Sequence, residues 1–283
     1  MRRWATVAVA ATALCAAACG GSKSDAVSKA GDSVGRIHSG VLHVKVEMTS
    51  GAAPDAARVG FQMDGPFDAD VQAGQLPVAD LTTKDFATGR TTEFVSDRSH
   101  AFLVVDGVAY QFDDQQVASL RRANGGTSGA LTGLDLRSWV VQPTDQPSTT
   151  INGQTVARVT GTVDPVAAIN GIVALATALG SGDQTLQISA GDADRVRAAL
   201  KSSSFELLTG AQDGLLRQVT ATMAFASPQG APNAAGGAVL QALAGYGHLT
   251  MTIQLGIDSP NGPVSVTTPA SSKPIAQLPR SSS

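Results

Sequence analysis

The chain has 283 residues, enough for one large domain or two modest ones with a buried core. Its net charge is −3 and it has no block of basic residues, which argues against nucleic-acid binding. Aromatic residues make up only 4% of the chain, and its two cysteines, Cys15 and Cys19, lie near its start. This composition argues against an aromatic platform for stacking sugars or nucleotides, a disulfide framework and a thiolate metal site.

The first 18 residues have the three parts of a secretory signal peptide. Arg2 and Arg3 give a cationic start, residues 4–14 are apolar apart from two threonines, and alanines 16–18 follow. Cys19 comes next and precedes a polar spacer, which resembles the bacterial lipobox, where the cysteine thiol is diacylated and the peptide is cut before it. We predict a lipoprotein signal peptide over 1–18, a lipidated Cys19 and a flexible tether over 19–26.

Two alternatives stay open for this segment. An ordinary cleaved signal peptide would leave Cys19 without a role, and Ala16 stands where the lipobox usually has leucine. A retained membrane anchor is the other, although the apolar run falls short of the ~20 residues of a membrane span. Cys15 is the rival thiol, but it lies inside the apolar run with no polar spacer after it.

The N-terminal half of the remaining chain predicts one helix and then a series of strands. Apolar residues from Asp25 to Ile37 recur at three- and four-residue steps, which is typical of an amphipathic helix. Asp106-Gly107 between two β-rich arms is the strongest hairpin signal in the chain. A helix begins at Asp113 or Asp114, and a second short helix is predicted over 134–141. Strands are predicted at 40–50, 58–67, 76–86, 91–95, 101–105 and 108–112.

The C-terminal half predicts a hairpin, two helices and three further strands. Asn152-Gly153 is the turn, or a bulge, of a hairpin within 151–163. Asp164 is the N-cap and Pro165 the first residue of an apolar helix that ends at Gly180. Another helix starts at Asp192 or Asp194, and a glycine-rich loop covers 226–247. The last strands are predicted at 205–208, 215–225 and 248–257.

Strands joined by hairpins dominate this pattern, with the helices clustered between them. This order predicts the α+β class, with a strongly curved antiparallel sheet and helices packed on one face.

Several stretches in this order resemble those of actinobacterial lipoproteins of the LppX/LprG type. They are GLDLRSWV at 133–140, INGQTVARVTGTVD at 151–164, SFELLTGAQDGLLRQV at 204–219 and the closing NGPVSVTTPASSKPIAQL. The resemblance covers one domain over 27–278 and leaves a disordered tail over 279–283. It implies a fold like that of the LolA/LolB lipid carriers, a half-barrel sheet with helices on its concave face and acyl chains between the two layers.

A lipid carrier needs an aliphatic cavity, because each methylene shielded from water contributes about 0.8 kcal/mol. The apolar helix and several strands can supply its walls, although most such residues would serve equally well in a filled core. Trp139 either gates the mouth of this cavity or simply packs in the core. The predicted lining residues are Val44, Val46, Phe61, Phe102, Val104, Trp139, Val159, Val166, Ile169, Ile172, Val173, Leu179, Met223 and Phe225.

The sequence contains no nucleophile elbow, zinc-protease motif or Walker loop, and its four histidines are far apart. We therefore predict no catalytic residue, no metal site and no cofactor. The leading prediction is a lipid or glycolipid carrier, monomeric and anchored through acylated Cys19 at the extracytoplasmic face of the cell membrane. A membrane transporter is a candidate partner. The alternative is a non-catalytic envelope lipoprotein with a filled core, which binds partners; an enzyme is the third hypothesis.

Overall fold

The computed structural model describes residues 25–50, 57–70, 72, 74–123, 131, 134–178, 187–226 and 247–279. The predicted signal peptide, Cys19 and nearly all of the tether lie outside these residues. So do Leu179, the greater part of the glycine-rich loop and all but the first residue of the predicted tail.

Twelve strands form one open sheet, whose spatial order is β12-β6-β5-β4-β3-β2-β1-β11-β10-β9-β8-β7. The strands are β1 Ser39–Ser50, β2 Ala57–Asp68, β3 Val78–Asp85, β4 Thr91–Ser96, β5 Ala101–Val105, β6 Val108–Gln111, β7 Val140–Ile151, β8 Gln154–Val163, β9 Leu200–Gly210, β10 Leu216–Ala226, β11 His248–Asp258 and β12 Lys273–Pro274. Neighbours pair antiparallel except β6 and β12, which are parallel. Because β1 pairs with β11, the first strand and the last long strand lie side by side in the middle of the sheet.

In the part of the chain that the structure describes, one α-helix precedes the strands and four lie between them. They are α1 Asp25–Val34, α2 Asp114–Ala123, α3 Leu136–Trp139, α4 Pro165–Ala178 and α5 Ala190–Ala199. The cap of α2 is Asp113, whose Oδ1 accepts from the Gln116 amide at 2.8 Å while Gln116 Oε1 accepts from the Asp113 amide at 3.0 Å. This reciprocal pair decides between the two predicted start residues.

Both predicted two-residue turns are present. Asp106 and Gly107 have φ values of 51° and 77°, and Asn152 and Gly153 have 49° and 76°. Consecutive positive φ angles are typical of the type I′ turn, whose twist matches that of the flanking strands.

One predicted helix is wrong beyond its first turn. The segment predicted as a helix over 134–141 is helical only at Leu136–Trp139, and β7 begins at Val140. β7 lies at the edge of the sheet and has a neighbouring strand on one side only. Prolines 143 and 147 are therefore tolerated there, whereas in an inner strand their missing N–H groups would cost ladder hydrogen bonds. Its register shifts by bulges between Val141 and Thr144 and again between Gln146 and Thr149.

The main core lies between the central strands and helices α1, α3, α4 and α5. β1 and β11 contribute alternate buried residues, such as Leu42 and Val44 or Ile253 and Leu255, so in these central strands one face is covered and the other is more exposed. A second, smaller cluster joins α2 to the β4–β5 region through Leu76, Ala101 and Val117. The sheet is therefore open, mostly antiparallel and covered by helices on one face.

Candidate functional site

The helix-covered face of the sheet has the apolar character that the predicted lipid site requires. Among the described residues, the buried polar side chains are those of four serines. A buried charge would be costly there unless it were paired. The interior between helices and sheet is thus lined by aliphatic and aromatic side chains.

α4 is the most apolar helix of this layer. It carries no charged residue, and its only polar residues are Asn170 and Thr177. Asp164 caps it, because Asp164 Oδ1 accepts from the amides of Val166 and Ala167 at 2.9 and 3.0 Å. The predicted N-cap and N1 proline are both confirmed.

Polar contacts fix α4 to the α5 end of the layer. Asp164 Oδ2 lies 3.0 Å from Arg197 Nε on α5. Asn170 donates from Nδ2 to the Ile188 carbonyl at 3.1 Å and accepts from the Ile188 amide at Oδ1 at 2.7 Å. The N-cap of α4 is therefore attached to α5, and Asn170 in its first half is attached to Ile188, two residues before α5.

Trp139 determines how closely α3 and α4 approach each other. The ring is only 1% exposed. A Cβ added to Gly171 on α4 would lie 2.6 Å from Trp139 Nε1 and 2.8 Å from Cζ2, far inside van der Waals contact. Only glycine leaves room for the indole at position 171, although by helix propensity alone a glycine inside a helix lowers its stability.

α4 packs against other helices. Its backbone lies close to those of α3 and α5, while the backbone of α1 approaches β7 and β10. Among the described residues, α4 reaches the main core through side chains such as Ile169, Ile172 and Leu175. An apolar helix carried by other helices thus faces the centre of the sheet.

Ten of the fourteen predicted lining residues meet in the main core. Phe61 and Val166 are partly buried against it, and the rest are buried within it. The buried eight are Val44, Val46, Trp139, Val159, Ile169, Ile172, Met223 and Phe225.

The other predicted lining residues are not brought to this cluster. Val173 is buried outside it, and Leu179 lies outside the described residues. Phe102 and Val104 on β5 pair with Val95 and Glu93, while the core residue Leu81 pairs with Phe94. Successive residues of a strand face opposite sides, so Phe102 and Val104 lie on the face away from the helices. Strand register, which sequence reasoning did not supply, decides this.

The pKa of Asp164 reports how α4 is attached. Burial alone would raise that pKa, but hydrogen bonds from the Ala167 amide and the Arg197 guanidinium lower it below its ordinary value. On acidification the unfolded chain takes up the proton first. The stabilisation is therefore present above about pH 4 and is lost as the pH falls through the lower, folded-state pKa.

We expect Asp164→Ala to lower the free energy of unfolding by about 1–2 kcal/mol at neutral pH, because the cap and a half-exposed ion pair are both lost. Asp164→Asn is the matched control, since asparagine also caps helices and only the ion pair is lost; its cost should be below about 1 kcal/mol. Urea unfolding on either side of about pH 4 measures both. Equal losses in the two variants would contradict the cap assignment.

Within the described ranges, no cluster of three or more histidine, cysteine or acidic side chains is placed to hold a metal ion. None of the helices in this part of the chain combines the length and apolar character of a membrane span.

No known family profile matches the sequence, and no curated protein does. Among solved structures, the Mycobacterium tuberculosis lipoprotein LppX is similar over 87% of this chain and 98% of its own, at 14% identity and a TM-score of 0.42. LprF from Mycobacterium bovis is similar over 88% and 97%, at 12% identity and a TM-score of 0.39. LppX is a lipoprotein of the type that the quoted stretches of this sequence resemble. A LolA-superfamily protein from Nitrosomonas europaea matches at a TM-score of 0.20, over 83% of this chain and 94% of its own, at 10% identity. Likeness at this level assigns neither ligand nor site residues to the chain.

Proposed function

We propose that this protein is a membrane-anchored extracytoplasmic lipoprotein that binds and carries lipids or glycolipids, with the acyl chains held between α4 and the sheet. The observation that carries the proposal is the seating of α4, an uncharged helix that meets the main core through aliphatic side chains while its backbone lies against α3 and α5. The curvature of the sheet around these helices, as in a half-barrel, is part of the proposal.

Acyl chains can enter such a layer while the polar contacts of Asp164 and Asn170 stay in place. The attachments made by Asp164 and Asn170 join α4 to Arg197 and Ile188, which belong to the same end of the helical layer. Contacts between α4 and the sheet are apolar and non-directional, so methylene groups can replace them. Burial of a sixteen-carbon chain contributes on the order of 12 kcal/mol relative to water, so a chain that leaves a bilayer must find an equally dry environment in the layer.

Uptake of a fluorescent lipid tests the acyl-binding part. The full chain is incubated with phosphatidylcholine vesicles that contain a pyrene-labelled phospholipid, whose excimer emission falls when single molecules leave the bilayer. The proposal expects loss of excimer emission in proportion to added protein. Unchanged emission at molar excess of protein would contradict it and favour the alternative, an envelope-interaction lipoprotein with a filled core.

Lipidation of Cys19 is tested by metabolic labelling with an alkyne fatty acid. We expect the wild-type protein to incorporate the label and Cys19→Ala to lose it completely, because the thiol is the acylation site. Cys15→Ala is the matched control and should keep the label, since Cys15 is removed with the signal peptide. Label retained by Cys19→Ala, or a mature N-terminus at another residue, would contradict the anchor.

A further inference from the structure

The uncovered face of the sheet carries a groove of about 480 Å³, a volume typical of small-ligand sites. Four adjacent strands, β2, β1, β11 and β10, form its floor. Their paired residues in one row across the strands are Asp64, His43, Gly256 and Gln218. Lys45 and its partners Gln62 and Gln254 form the next row. Asn152, at the β7–β8 turn, lies at the rim.

Gly256 leaves a gap in the middle of this floor, and its backbone conformation would also accept a residue with a side chain. A Cβ there would lie 3.5 Å from His43 Cβ and 3.8 Å from the Arg217 carbonyl oxygen, which are ordinary contacts. Gly60 and Gly65 differ, because their φ angles of 126° and 150° are positive and added Cβ atoms would collide with backbone oxygens. Glycine weakens a strand interior and often marks the close approach of a ligand. The glycine at position 256 therefore keeps the floor open.

The cations of the groove are already paired. Lys45 Nζ lies 2.6 Å from Glu47, and an Arg217 guanidinium nitrogen lies 2.6 Å from Asp213. An anionic ligand would compete with these carboxylates for both cations, so the groove does not favour one.

The carboxylates of the groove are also engaged. His43 lies between them, with Nδ1 2.8 Å from Asp64 and Nε2 3.4 Å from Asp258. With Glu47 and Asp213 included, four carboxylates surround Lys45 and Arg217, so each cation of the groove already faces a carboxylate and an anionic ligand is disfavoured. The lining therefore suits a neutral ligand that donates hydrogen bonds to carboxylate and carboxamide oxygens.

Carboxamides supply most of the remaining polar groups, from Gln62, Gln218, Gln254 and Asn152. Gln62 donates to Asp64 Oδ2 at 2.8 Å and Gln218 donates to Thr220 Oγ1 at 3.1 Å, but each of these amides has a second hydrogen and a carbonyl oxygen. Each carboxamide both donates and accepts hydrogen bonds, which is what a hydroxyl group requires of its partner. We propose that the groove binds a neutral saccharide through its hydroxyl groups. Ile151 adds an apolar contact at the rim, and hydrogen bonds take the place of the aromatic stacking that the composition argues against. The saccharide is either free or the headgroup of a glycolipid.

Side-chain carboxamide signals in ¹H–¹⁵N spectra of the full chain test this proposal. Two arms distinguish the sources: the free disaccharides maltose, cellobiose and lactose, and phosphatidylcholine vesicles with or without digalactosyldiacylglycerol. We expect a disaccharide to shift the groove signals with a dissociation constant of about 0.1–10 mM. Broadening caused only by galactolipid vesicles supports the headgroup as the source. No response in either arm overturns the proposal.

Gly256→Val fills the floor and should weaken binding at least about tenfold. Thr252→Val is the matched control, because Thr252 lies on the same strand and face but outside the groove; binding should stay within about twofold of wild type. If Gly256→Val does not fold, Gln254→Val is used in its place. Unchanged binding in the groove variant also overturns the proposal. The outcome is independent of acyl-chain binding, which involves the other face.

Discussion

Gly171→Ala is expected to lower the free energy of unfolding by about 1–3 kcal/mol, although glycine-to-alanine changes inside helices usually raise it by about 1 kcal/mol. The new methyl group would lie 2.6–2.9 Å from three atoms of the Trp139 ring, which is fully enclosed and has no room to move. Overpacking of a rigid ring therefore outweighs the gain in helix propensity. Chemical denaturation of the two proteins under the same conditions measures the difference.

The chain contains a matched control for this change. Gly191 lies on α5, and an added Cβ there would meet nothing closer than Ser189 Oγ at 3.9 Å. Gly191→Ala should therefore be neutral or stabilise the protein by up to about 1 kcal/mol. Trp139→Phe combined with Gly171→Ala should recover part of the loss, because the two side chains are in contact. A stabilising Gly171→Ala would contradict the α3–α4 contact.

Ala168→Phe is expected to abolish lipid uptake while the protein stays folded. Ala168 is completely buried on α4 and belongs to the main core, so a ring at this position projects toward the space assigned to acyl chains. If lipid occupies that space, the ring displaces it and the free energy of unfolding of the lipid-free protein changes by less than about 1 kcal/mol. The measurements are pyrene-lipid transfer and denaturant unfolding of the delipidated protein.

A filled core predicts the opposite pattern for the same variant. Forcing a phenyl ring into close-packed side chains would cost about 3 kcal/mol or more, and wild-type protein would take up no lipid. Ala174→Phe on the exposed side of α4 controls for effects of a phenylalanine in the helix, and it should leave both stability and uptake unchanged. The pair of variants thus separates the carrier from the alternative.

Local chemistry made much of the fold predictable from the sequence. Asp106-Gly107 and Asn152-Gly153 specify their turns through φ angles that few other dipeptides accept. Asp164-Pro165 specifies the start of α4 for the same kind of local reason. The alternation of apolar and polar residues predicted the bounds of most strands to within a few residues.

Features that depend on distant partners were not predictable in the same way. β7 was missed because its two prolines argue against a strand unless the strand is known to lie at an edge. The start of α5 at Ala190, two residues before the earlier predicted residue, was also missed; Ser189 occupies its N-cap position without a side-chain cap hydrogen bond.

The candidate site was only partly predictable, because tertiary register decides its membership. The aliphatic residues of α4 and of the central strands could be chosen from periodicity, and the structure brings most of them together. Phe102 and Val104 have the same apolar character, but strand pairing places them on the opposite face. The dependence of Gly171 on Trp139 has no local signal, since 31 residues separate them along the chain.

Native mass spectrometry of the full-length protein, purified from membranes in a detergent that is released in the gas phase, tests acyl-chain binding most directly. A denaturing spectrum of the same sample gives the covalent mass, including the chains on Cys19. The proposal predicts a native mass that exceeds the covalent mass by that of a lipid, and this excess should be absent in Ala168→Phe. A native mass equal to the covalent mass, before and after incubation with lipid vesicles, would contradict it.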